Sequence, residues 1–170
     1  LEADLPRLAQ ESGAPSGGLL VVEDNEINRR VMSGMLAHLG WQVQLAGNGL
    51  EALERLQQTH FAAILMDCQM PIMDGIQATV EIRKREDGNR TPIIGVTAAA
   101  FHEDRDRCFA AGMDDFLPKP VTLDQLREVL HVVDEGQIEA SARERAFIAG
   151  ALHALAAGGI QVQVPDSEAA

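Results

Sequence analysis

Five residues able to do polar chemistry stand directly after short apolar runs. Residues 19–22 lead into Glu23 and Asp24, residues 61–66 into Asp67, residues 93–96 into Thr97, and residues 115–117 into the turn Pro118-Lys119-Pro120. Three carboxylates brought together repel one another and resist ionisation, so they need a cation. Oxygen ligands with positions left for water suit Mg²⁺, which is usually held by one or two carboxylates and keeps several waters. A lysine ammonium nearby is a point charge suited to phosphate. A threonine hydroxyl can donate to a phosphoryl oxygen. Together these groups meet the demands of phosphoryl transfer onto an aspartate: a nucleophile, neutralised charge on the transferring oxygens, and positioning. Taken singly they have plainer readings. Asp24 or Asn25 could cap a helix, Thr97 could cap the next one, Lys119 could be a solvated turn residue, and Phe116 could be core. Asp67 resists such a reading, because a carboxylate directly after a fully apolar strand is rarely decorative. Their arrival in order at four strand ends favours the joint reading.

For these residues to meet, the apolar runs must be neighbouring strands. Over residues 25–39, Ile27, Val31, Met35 and Leu39 recur at four-residue steps and mark one helix face. Gly40 stops that helix. Residues 43–46 read as a second strand. From Gly47 a loop leads into a short helix with Leu50, Leu53 and Leu56 facing inward. Residues 61–66 are apolar throughout, which suits a strand buried on both faces. A loop at 70–75 (MPIMDG), a helix over 75–85 and a polar turn at 86–92 precede the fourth strand at 93–96. A helix within 98–111 is closed by Gly112, residues 115–117 form a short fifth strand, and Leu123, Leu126, Val129, Leu130 and Val133 mark a last helix. Five alternations of strand and helix predict an α/β domain with a parallel sheet and helices on both faces. Crossovers are right-handed, and ligands bind outside the carboxyl ends of the strands at the switch point. Strand two contributes nothing comparable and is expected at an edge.

Composition permits this and narrows the partners. The chain has 170 residues, 46% hydrophobic and 24% charged, an ordinary globular mixture with room for one domain plus extensions. A formal net charge of −12 argues against a nucleic-acid surface, which needs clustered Lys and Arg. An acid-rich surface is otherwise a common route to solubility. Cys68 and Cys108 lack metal-ligand spacing and read as two reduced, partly buried thiols of a cytosolic protein. The five histidines are scattered. No stretch approaches the length of a membrane span, and the N-terminus lacks the parts of a signal peptide. A cytoplasmic chain without membrane contact of its own is expected, and a longer parent protein could carry an anchor. Residues 1–17 read as a linker, Gly/Pro/Ser-rich towards its end, 18–134 as the domain, and 135–170 as a C-terminal extension. In that extension Ile138, Phe147, Ile148, Ala151, Leu152 and Leu155 could form one helix face, with the last residues disordered.

The motifs LLVVEDNEINRRV, LMDCQMPIMDG, IIGVTA and FLPKP, in that order on those elements, resemble the receiver (response-regulator) domain of two-component signalling. The resemblance spans about residues 18–134, and its wording looks most like the receivers attached to hybrid sensor histidine kinases. It implies a five-stranded, doubly wound, flavodoxin-like sheet in the order 2-1-3-4-5. It implies that Asp67 accepts a phosphoryl group from a histidine, on a partner or on the same protein, and that the surface around strands 4 and 5 then switches. Asp24, Asp67, the backbone carbonyl of Gln69 and, mostly through water, Glu23 would hold Mg²⁺. Thr97, Lys119 and the backbone N–H of Ala98 would contact the phosphoryl oxygens. Phe116 stands at the switch aromatic, without a tyrosine's hydroxyl, and the Lys119–Pro120 bond is expected to be cis. Asn25, Ile27 and Asn28 would lie where a histidine kinase or histidine phosphotransfer domain docks. The C-terminal extension is a candidate homodimer surface.

Other functions fit less well. A hydrolase of the haloacid-dehalogenase type needs a second acid two residues after the nucleophile, where this chain has Gln69. A pure interaction module would not need Asp24, Asp67, Thr97 and Lys119 together. A flavin site would place a phosphate against the acidic loop EDNEIN, which would repel it. No glycine-rich ATP-binding box of a kinase is present, and no basic output segment for DNA.

Overall fold

The computed structural model describes residues 17–98 and 102–134. The linker and the C-terminal extension read from the sequence lie outside them, apart from Gly17 at the linker's end. Five strands and five helices alternate: β1 (Gly18–Val22), α1 (Glu26–His38), β2 (Val43–Ala46), α2 (Gly49–Gln58), β3 (Phe61–Asp67), α3 (Gly75–Arg85), β4 (Ile93–Thr97), α4 (His102–Ala111), β5 (Asp115–Pro118) and α5 (Leu123–Asp134). All strand pairs are parallel and the order is β2-β1-β3-β4-β5. The chain runs outward from β1 to β2, then crosses back to β3. The switch point therefore lies between β1 and β3, and the crevice at their carboxyl ends is where such sheets bind ligands.

Alternation along the strands divides the core in two. Leu20, Val22, Ile64, Met66 and Ile93 pack towards α2, α3 and α4, with Ala52, Leu53, Ala78, Ile82 and Cys108. Leu19, Val21, Ala63, Leu65, Ile94, Val96 and Leu117 pack towards α1 and α5, with Met32, Leu36, Leu126, Val129 and Leu130. Burying both faces of β1, β3 and β4 explains why those runs are apolar without alternation.

Two helices differ from the sequence expectation. On α1 the buried residues are Met32 and Leu36, whereas Ile27 and Val31 are 72% and 55% exposed. A four-residue step overshoots the helical turn by about 40°, so the stripe from Ile27 to Leu39 winds around the helix. Only its later members, Met35 and Leu39, reach the core edge. On α2, Leu50 is exposed, and Ala52 and Leu53 are buried. The caps follow local chemistry. Asn25, Asn48 and Asp74 accept backbone N–H groups at the starts of α1, α2 and α3, and Asp74 with Gln77 forms a capping box. Gly112, at φ 107°, closes α4 in a conformation that residues with a Cβ rarely adopt. Among the described residues no helix is long and apolar enough to cross a membrane.

Candidate functional site

Strand register delivers the acids. Val22 is level with Met66 across β1 and β3, so the next residues, Glu23 and Asp67, emerge side by side. Thr97 ends β4 opposite Pro118 of β5, and the Lys119 N–H donates to the Thr97 carbonyl at 2.8 Å. That bond fixes the backbone from which the lysine reaches inward, and the Lys119–Pro120 peptide that follows is cis. Gly75 is the other positional requirement. Its N–H donates to the Cys68 carbonyl, and a Cβ there would collide with the Asp67 carbonyl. Only glycine lets α3 start this close to the end of β3.

The side chains converge on one ammonium. Lys119 Nζ donates to Glu23 Oε2 at 2.8 Å and to Asp67 Oδ2 at 2.9 Å. Asp67 Oδ1 accepts the Gln69 N–H at 3.0 Å. Glu23 Oε1 accepts from the Asn25 N–H at 3.2 Å and from Asn28 Nδ2 at 3.3 Å. Glu23, Asp67 and Thr97 are buried, and Asp24 is exposed. Glu23, Asp24 and Asp67 can each offer an oxygen such that the three lie within 4.8 Å of one another.

The two buried acids respond differently to this environment. Burial pushes Asp67 upward, and although the Gln69 N–H and Lys119 pull the other way, its carboxyl stays above the usual range, with Glu23's charge adding to the rise. Burial also raises Glu23, but the hydrogen bond from Lys119, the Asn25 N–H, the lysine's charge and Asn28 together hold it below its usual value. Burial works against the charged form of Lys119, yet its bonds to Glu23 and Asp67 keep it above its ordinary value. Two buried carboxylates thus share one ammonium, with Asp24 exposed beside them, and of the two Asp67 carries the less compensated charge. An all-oxygen, carboxylate-rich set of this kind fits Mg²⁺.

The remaining expected residues are placed as follows. Gln69 has an exposed side chain and contributes its backbone, and Ala98 lies exposed just past Thr97. Phe116 is half-buried on β5, edge-on to Phe109 with ring centroids 6.0 Å apart, and the Arg105 guanidinium lies 4.1 Å above its ring. Asn25 caps α1, Asn28 reaches Glu23, and Ile27 stands exposed. The sequence reading passed over Arg29. Its guanidinium donates to the main-chain carbonyls of Glu23 at 2.6 Å and Asp24 at 3.0 Å, clamping the acid pair to α1. A basic residue one turn into a helix that follows two acids was the available signal.

Comparison with known proteins agrees with this geometry. The family described as the response regulator receiver domain matches residues 19–131. The sensor histidine kinase RcsC of Escherichia coli is 44% identical over 117 residues, which are 69% of this chain and 12% of that protein. The receiver domain of sensor histidine kinase PA1611 from Pseudomonas aeruginosa, solved with magnesium coordinated in the active-site cleft, is 42% identical with a TM-score of 0.66, over 70% of this chain and 98% of that one. The receiver domain of Ssk1 from Saccharomyces cerevisiae, solved with the histidine phosphotransfer protein Ypd1, is 31% identical with a TM-score of 0.62, over 69% of this chain and 88% of that one.

Proposed function

This chain belongs to the response regulator receiver domain family of two-component phosphorelays, and on that premise we propose that Asp67 is its phosphoacceptor and that the rim around it is a Mg²⁺-dependent phosphoryl-transfer site. The observation that carries the reading is the gathering of Glu23, Asp24 and Asp67 at the switch point, with Glu23 and Asp67 both bound to the ammonium of Lys119. An Asp67 carboxylate oxygen attacks the phosphorus of a phosphohistidine. The O–P bond forms, the P–N bond breaks, and the histidine nitrogen leaves. Lys119 turns from Asp67 to an oxygen of the transferred group, so the charge it neutralised before transfer is replaced by the phosphoryl charge. Thr97 and the Ala98 N–H hold the other oxygens. Glu23, Asp24, Asp67 and the Gln69 carbonyl would hold Mg²⁺, which supplies charge neutralisation on the equatorial phosphoryl oxygens. Thr97 drawn towards the phosphoryl group leaves space into which Phe116 moves, and Arg105 and Phe109 register that movement on α4.

The donor is a histidine kinase or a histidine phosphotransfer domain. It docks over the start of α1, where Ile27 and Val31 are exposed beside Asn25 and Asn28. The chain spans only 12% of the length of the E. coli kinase. We read it as the cytoplasmic receiver segment of a longer hybrid sensor kinase, with residues 18–134 as the domain and 135–170 as an extension that could pair two chains.

Intact-mass spectrometry after incubation with Mg²⁺ and acetyl phosphate tests the chemistry. One added phosphoryl group is expected in the wild type and none in Asp67→Asn or without Mg²⁺. If neither acetyl phosphate nor a histidine-phosphorylated donor protein adds mass, the chain is an interaction module and this reading is wrong.

A further inference from the structure

Beside the acidic rim lies a second reactive pair that phosphoryl transfer does not use. Cys68 directly follows β3, and hence Asp67, while Cys108 stands on α4. Both are free thiols, 7% and 2% exposed, with sulfurs 3.4 Å apart. A disulfide holds its sulfurs about 2.05 Å apart, so closure asks for a shift of little more than 1 Å shared between the two side chains. The pair is not sealed in. Both cysteines line a cavity of about 330 Å³ together with Gln69, Thr97, Asp104 and Arg107. Gln69 and Arg107 are exposed to solvent. The cavity therefore joins water, the two sulfurs and the buried Thr97 in one space wide enough for a small polar oxidant.

We propose that Cys68 and Cys108 are a dithiol that hydrogen peroxide oxidises reversibly to an intrachain disulfide, tethering α4 to the residue after the phosphoacceptor. One sulfur attacks the peroxide O–O bond, which breaks, leaving a sulfenic acid and one water. The second sulfur attacks the sulfenic sulfur, the S–O bond breaks, and a second water leaves. Two electrons pass from the sulfurs to the peroxide oxygens, and the two thiol protons leave in the water. In a reducing compartment such a bond is transient, as redox-sensing disulfides are. Closing it draws Cys68 towards α4 and narrows the cavity that Thr97 shares. Displacements near 1 Å at a reacting group can slow transfer by up to about a hundredfold. Formation of the bond is independent of the phosphoacceptor reading; only its effect on phosphoryl uptake rests on that reading.

The full chain, reduced and freed of reductant, is treated with hydrogen peroxide and followed by intact mass and non-reducing peptide mapping. The expected product has lost two hydrogens, yields a Cys68–Cys108 linked peptide, returns to the dithiol with dithiothreitol, and is absent from Cys108→Ala and Cys68→Ala. Oxygen added to one cysteine without a bridge, bonds between chains only, or an unchanged dithiol where a control peptide thiol is fully oxidised would overturn the proposal. The bridged form is then given acetyl phosphate and Mg²⁺. Uptake about tenfold slower than in the reduced form is expected. Equal uptake would remove the switch while leaving the receiver reading intact. A bridge in the mass spectrum with no uptake by the reduced chain, from acetyl phosphate or from a histidine-phosphorylated donor protein, would instead remove the phosphoacceptor reading and the switch, leaving an oxidation site.

Discussion

At the amino-terminal edge of β4, Asp114 is 4% exposed. Its carboxylate accepts from Arg83 at 2.7 Å, from Arg90 at 2.8 and 3.1 Å, and from the Ile93 N–H at 2.8 Å. Arg83 also donates to Glu86 and to the Thr91 and Gly112 carbonyls. Two arginines face two acids, and every lone pair of Asp114 has a donor. At the carboxyl-terminal rim the same chemical types are assembled differently: Glu23 and Asp67 share one lysine, and Asp24 adds a third, exposed carboxylate beside them. Burial alone therefore does not mark function. The first cluster is closed, with charge and hydrogen bonds balanced, and it fastens α3 to the β4 and β5 strand ends. The second is left in negative excess, with one acid exposed and the nucleophile held above its usual carboxylate range, a state that a cation or a transferred phosphoryl group with its metal can relieve.

Substitutions separate the two clusters, and the largest effect is chemical. Asp67→Asn removes the nucleophile, and phosphoryl uptake should fall below detection by intact mass while the protein stays folded. Next, Asp114→Ala takes from two arginines the carboxylate they share. Breaking a buried pair from one side costs about 3–5 kcal/mol, read as a lower urea midpoint, while uptake per folded molecule stays within about twofold of wild type. A fall in uptake with unchanged stability would reverse the roles assigned to the two clusters. Lys119→Ala should slow uptake by about 10²–10³-fold, the usual loss for one charge-stabilising group, and uncouple phosphorylation from the change around β4 and β5. Mg²⁺ affinity by calorimetry should hold, because an ammonium offers the cation no lone pair and the lysine is not one of its ligands. Unchanged signalling in that variant would sink this assignment.

The smallest effect concerns stability and its pH dependence. Asp67 has a raised folded value, so its ionised form disfavours folding. That penalty is absent below the ordinary carboxylate range and complete once pH passes the raised folded value. Asp67→Asn should therefore stabilise the metal-free chain at neutral pH, by on the order of 1 kcal/mol, and give no gain in acid. Glu23 has the opposite sign. Its lowered value contributes stability above the ordinary carboxylate range, lost as pH falls through the folded value. Thermal midpoints of wild type, Asp67→Asn and Glu23→Gln across the acid range check both signs. At saturating Mg²⁺ the advantage of Asp67→Asn should vanish, since ligand binding stabilises the wild-type chain.

The fold was largely legible because it is written in local period. Apolar runs at 19–22, 61–66 and 93–96, helices between them and Gly40 and Gly112 at helix ends dictate alternating elements, and right-handed crossovers leave few sheets to choose from. The site was legible for the same reason. In a parallel sheet the residues at and just past the carboxyl end of each strand land on one rim, so Glu23, Asp67, Thr97 and Lys119 could be grouped by counting. What periodicity does not carry is the rotation of a helix about its axis and the reach of long side chains. The stripe from Ile27 to Leu39 looked like one face, yet packing chose Met32 and Leu36. Arg29 on the acid-pair carbonyls, Arg83 on Asp114 across 31 residues and Cys68 beside Cys108 across 40 are contacts between elements whose approach no local pattern states. The sequence by itself determined which elements form and which end of the sheet bears chemistry, because both follow from short-range alternation. Only the tertiary structure decided which buried charges are balanced and which are left in excess, because that depends on distances between groups far apart in the chain.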